Sequence, residues 1–65
     1  MPIDVQTLEE TEKYIKQIAF FESLVEARDY LDRCIHYGAR GYLSTSMMAV
    51  VVTYDLDKDG KIVMI

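Results

Sequence analysis

Apolar positions in this chain follow two periods. Between residues 8 and 21 they recur at threes and fours: Leu8, Ile15, Ile18 and Ala19 share a stripe, flanked by Tyr14 and Phe21. That spacing places them on one face of an α-helix. Thr7 fits an N-cap, and Glu10, three residues on, completes a capping box. Glu9, Glu10 and Glu12 then load the positive end of the helix dipole, with Glu9→Lys13 and Glu12→Lys16 as i,i+4 pairs. The pattern predicts a first helix over residues 8–20. Two competing readings are a strand over residues 14–21, because Phe20-Phe21 crowds an exposed helix end, and a fusion with the helix that follows.

Ser23-Leu24-Val25-Glu26 repeats the capping-box pattern, and Leu24, Ala27, Leu31, Cys34 and Ile35 fall on one face. Gly38 stands where a left-handed residue ends a helix. A second helix is predicted over residues 24–37. Ala39-Arg40-Gly41 reads as a turn, and residues 42–46 as a short strand or a polar loop.

From Met47 the period changes to two. Asp57-Lys58-Asp59-Gly60 suits a type I turn closed by a left-handed glycine, the three-residue hairpin loop. That register pairs Asp57 with Lys61, Leu56 with Ile62, Tyr54 with Met64 and Thr53 with Ile65. One face then carries Met48, Val50, Val52, Tyr54, Leu56, Ile62 and Met64 for the helices to cover. The other is mixed but ends in Met47, Ala49, Val51, Val63 and Ile65, where an antiparallel sheet is normally polar. The predicted fold is a single α+β domain over residues 1–65, with two helices packed on a C-terminal antiparallel β-hairpin in the order ααββ.

Composition sharpens this picture. Sixty-five residues allow one small core, and domains of this size need a staple. Cys34 is the sole cysteine, so no internal disulfide forms, and Cys34 with His36 falls short of a structural zinc set. Oligomerisation is the staple left, through the second sheet face or an edge strand. The net charge of −4 argues against a nucleic-acid backbone as partner. The longest apolar run, Met47 to Val52, is too short for a membrane span, and the N-terminus lacks the pattern of a signal peptide. With its unpaired thiol, the chain is expected in the cytoplasm.

Several residues bear on chemistry. Asp55, Asp57, Asp59 and Gly60 resemble the first half of an EF-hand calcium loop, although the bidentate glutamate that completes such a loop would fall beyond Ile65. With Met1 removed, Pro2 becomes a secondary amine, and a chain of this length beginning Pro-Ile resembles the 4-oxalocrotonate tautomerase family. The resemblance rests on Met1-Pro2-Ile3 and the length. It implies Pro2 as general base on a β-strand, followed by a helix whose arginine binds a substrate carboxylate. Glu9, Glu10 and Glu12 depart from that pattern because they repel a dicarboxylate, and Arg40 is the candidate cation. Cys34 lies on the apolar stripe and reads as packing; His36 suits the negative end of its helix.

No cofactor and no catalytic set is expected. The function predicted from the sequence is a non-enzymatic protein-interaction module, a regulatory, adaptor or inhibitor protein acting as a homodimer. Its candidate partner-binding residues are Tyr37, Arg40, Tyr42, Met47, Val51, Val63 and Ile65, because Tyr and Arg dominate binding hot spots.

Overall fold

A computed structural model of the chain describes residues 4–64. Among these, the elements run β1 (Asp4–Glu10), β2 (Tyr14–Phe20), α1 (Leu24–His36), β3 (Arg40–Ser44) and β4 (Ala49–Asp55). All four strands are antiparallel neighbours in one sheet ordered β1-β2-β4-β3. The fold is a β-rich α+β arrangement with one helix, which overturns the predicted pair of helices on a C-terminal hairpin.

The predicted first helix is instead the β1–β2 hairpin. Thr7 is a strand residue paired with Gln17 rather than a helix cap. The turn between the strands is built by Thr11, whose hydroxyl accepts hydrogen bonds from the amides of Lys13 (3.1 Å) and Tyr14 (3.2 Å). The Thr11 amide in turn donates to the Tyr14 carbonyl at 3.0 Å. Tyr14, Ile15, Ile18 and Phe20 supply the β-branched and aromatic side chains that favour a pleated surface.

α1 forms as its caps predict. Ser23 Oγ accepts from the Glu26 amide at 3.3 Å, and the helix ends at the Tyr37 C-cap. Gly38 follows at φ 94°, donating to the Ile35 carbonyl at 3.0 Å, while Ala39 donates to that of Cys34 at 2.9 Å. This double closure is a Schellman motif, and a left-handed residue is what it requires.

The first strand of the predicted hairpin, read from Met47, is present from Ala49, but it is central. β4 pairs with β2 on one side and β3 on the other, and Arg40 stands opposite Thr53, the place predicted for Ile65. Of the predicted hairpin, the turn and the Leu56–Ile62 bridge are formed. Asp57 donates its amide to the Lys61 carbonyl at 2.8 Å, and Gly60 adopts φ 77°. The predicted Tyr54–Met64 pair lies beyond that single bridge: Tyr54 is in β4, but Met64 is in a segment with no strand. Met48 is not on the core face; it closes the β3–β4 turn with φ 50°.

Strand alternation sends Val50 and Val52 under α1, where both are fully buried with Ala27, Cys34 and Ala39. Phe21, Tyr30, Leu31, Leu43 and Tyr54 close over this cluster. Each buried valine contributes about 1.5–3 kcal/mol of transfer free energy. α1 packs against β3 and β4. A smaller cluster of Ile18, Ala49 and Val51, packed by Phe20, lies on the opposite face of the sheet. We call this the open face.

Candidate functional site

Register fixes what the open face carries, because cross-strand partners share a face. β2 contributes Tyr14, Lys16, Ile18 and Phe20; β4 contributes Ala49, Val51, Thr53 and Asp55. On the edge strand β3, Arg40, Tyr42 and Ser44 point the same way. On the other edge, an irregularity between Thr7 and Glu9 shifts the register and brings Glu9 opposite Lys16.

A shallow groove of about 290 Å³ runs over this face, lined by Lys16, Arg40, Gly41, Tyr42, Val51 and Thr53. Its floor is Val51, only 7% exposed, and its wall is Tyr42, 61% exposed. The central apolar side chains are therefore screened by their own neighbours, and what the face offers a partner is the tyrosine ring and two cations. The Arg40 guanidinium donates to Asp55 Oδ1 at 2.6 Å. The neighbouring Glu9 carboxylate, as a hydrogen-bonding partner for the phenol, then burial and the carboxylate's charge, raise Tyr14 above its ordinary pKa.

Gly41 allows β3 to approach β4 closely. A Cβ at this position would collide with the Val51 carbonyl oxygen and lie 2.9 Å from Val52 Cγ1. The groove thus depends on a residue without a side chain at its centre, with Arg40 and Tyr42 held on either side.

Of the seven candidate residues, the structure brings Arg40, Tyr42 and Val51 together at the groove. Tyr37 is separate: it caps the helix, which packs on the other face, and its ring stands edge-on to His36 at 5.3 Å. Met47 is exposed in the β3–β4 turn. Val63 is exposed and donates its amide to the Asp55 carbonyl at 2.9 Å. Ile65 lies outside the described residues. Sequence reasoning missed Lys16, Thr53 and Glu9. The alternation of Tyr14, Lys16, Ile18 and Phe20 could have put Lys16 on one strand face, but not beside Arg40 or Thr53.

The remaining candidates take structural positions. Cys34 is buried, and the sulfur lies against the phenols of Tyr30 and Tyr54. Asp57 Oδ1 accepts from the amides of Asp59 (2.8 Å) and Lys61 (3.0 Å), so this carboxylate braces its own turn. No group of three or more His, Cys, Asp or Glu among the described residues is placed to hold a metal ion. Pro2 lies outside the described residues, and Glu9 and Glu10 belong to a strand rather than the start of a helix. No helix among the described residues is long and apolar enough to cross a membrane.

No family model matches the chain, and neither a curated protein nor a solved structure matches it significantly.

Proposed function

We propose that this chain is a non-enzymatic protein-interaction module, a small regulatory, adaptor or inhibitor protein of the cytoplasm, that binds through the open sheet face. The observation that carries this reading is the groove over Val51, with Tyr42 standing exposed beside Lys16 and Arg40. Tyrosine and arginine supply most of the binding energy at protein interfaces, because each joins a wide apolar surface to a directional polar group. The groove lining offers cations, a phenol and a hydroxyl, and no nucleophile with a base beside it. Such a set recognises a surface rather than transforming a substrate. The buried Cys34 thiol suits a reducing compartment.

The test is site-specific photocrosslinking. A benzophenone amino acid at Tyr42 is expected to capture a protein in the cells that make this chain. The same probe at Val25, exposed on α1, is expected to capture nothing at comparable yield. Equal yields at the two sites, or capture from Val25 alone, would refute the open face as the interface.

A further inference from the structure

One row of the open face runs from acid to base, edge to edge, with Arg40 at its basic end also paired to Asp55 of its own chain. Glu9, Lys16, Thr53 and Arg40 form a single row across the four strands, acidic at β1 and basic at β3. Ile18 and Val51 lie at the centre of the next row, and Phe20 and Ala49 at the centre of the row beyond. A face with opposite charges at its two edges is complementary to itself when turned over.

We propose that the open face is covered by a second copy of this chain, the two sheets stacked about a twofold axis parallel to the strands. This rests on the interaction-module reading above and names the occupant. The axis lays β1 over the partner's β3, and β2 over the partner's β4. Glu9 then meets the partner's Arg40, and the contact occurs twice by symmetry. In the next row Gln6 meets the partner's Tyr42, while Ile18, Val51 and Ala49, already covered by their own neighbours, lie beneath the contact.

Charge selects this axis over the other in-plane choice. A twofold across the strands would lay β1 on β1, setting Glu9 against the partner's Asp4 and Phe20 against the partner's Lys16. Like charges pressed together in an interface disfavour it. Stacking with nearly aligned strands is also the common geometry of two-layer sheets. From ordinary strand spacing and rise, the face measures roughly 19 by 20 Å. Two copies meeting over it cover roughly 760 Å² of flat area in total, and the relief of the side chains brings the buried surface toward the ~1,000 Å² of the smallest specific interfaces. The β1 edge is poorly suited to adding a strand instead, because its register is broken between Thr7 and Glu9 and it carries Asp4, Glu9 and Glu10.

The decisive experiment measures mass by light scattering after size exclusion across a tenfold concentration range. Wild-type protein is expected at twice 7.5 kDa. Glu9→Arg sets two arginines against each other and Arg40→Glu two glutamates, so each variant alone is expected to dissociate at roughly tenfold lower dilution or less. Mixing the two variants pairs opposite charges at both contacts and is expected to restore a dimer. Circular dichroism establishes that each variant is folded, and Glu9→Gln with Arg40→Gln replaces any that is not. A wild-type monomer at every concentration overturns the second copy as occupant, while the crosslinking at position 42 still judges the wider reading. A dimer indifferent to both swaps, or variants that fail to pair on mixing, overturns the stacking.

Discussion

The Arg40 guanidinium reaches the Asp55 carboxylate at 2.6 Å, tying the start of β3 to the end of β4 along the open face. Both side chains remain largely in solvent, 71% and 53% exposed. Exposed pairs gain little because water and salt screen them. Asp55→Asn is therefore expected to lower stability by less than about 1 kcal/mol. Urea midpoints with and without added salt check this, and a loss that survives high salt would mean the pair does more than the geometry implies.

Gly41 is far less replaceable. A methyl group there meets the Val51 carbonyl oxygen and the Val52 side chain, and both belong to the packed central strand. Gly41→Ala is expected to cost about 1–3 kcal/mol through overpacking. Chemical denaturation measures the loss, and a midpoint equal to wild type would show that β3 can move away freely.

The phenols beside Cys34 make stability depend on alkaline pH. Burial is the main cause that raises Tyr54 above its ordinary value of 10.0, followed by the neighbouring Cys34 thiol. Tyr30 is raised as well, again chiefly by burial. The native state therefore keeps these protons where the unfolded chain loses them. Stability from this source is full below 10.0 and falls as pH rises above it. Tyr54→Phe is expected to flatten part of that fall. Guanidinium midpoints from about pH 8 to about pH 11 reveal the difference between the two slopes, and parallel slopes would discount Tyr54.

Ser23 holds the start of α1 through one hydrogen bond to the Glu26 amide. Ser23→Ala is expected to destabilise the protein by about 1 kcal/mol, a fall of roughly 4–8 °C in Tm for a domain of this size. An unshifted melting curve would mean that water replaces the cap without cost.

What the sequence made legible were elements with one clear period and marked ends. α1 carries a cap at Ser23 and a left-handed stop at Gly38, and both are in place. Val50, Val52 and Tyr54 were assigned correctly to the helix-covered face, and the turn at Asp57 was read from its own residues. The competing strand over residues 14–21 is β2, and the helix preferred over β1 and β2 was wrong for a physical reason. β2 is interior, with Ile18 and Ala19 both buried, so the contrast between its faces is weak. Ile15, Ile18 and Ala19 then fall by chance at helical spacing. The turn at Thr11 has no glycine or proline to announce it, because a hydroxyl does the folding back. Arg40, Tyr42 and Val51 were legible by residue type. Lys16 and Thr53 join them only once β2 lies beside β4, a pairing between distant parts of the chain that local pattern does not encode.

That pairing sets the order in which the molecule can assemble. β1 with β2, and β3 with β4, are two short-range hairpins on either side of α1; the long seam between β2 and β4 joins them. Ile18, Ala19, Val50 and Val51 lie along the seam, and all are buried. A chain with both hairpins formed but not yet docked has spent much of its conformational entropy and gained little burial. Such half-assembled states are therefore expected to be sparsely populated, and unfolding followed by fluorescence and by circular dichroism is expected to give one coincident transition.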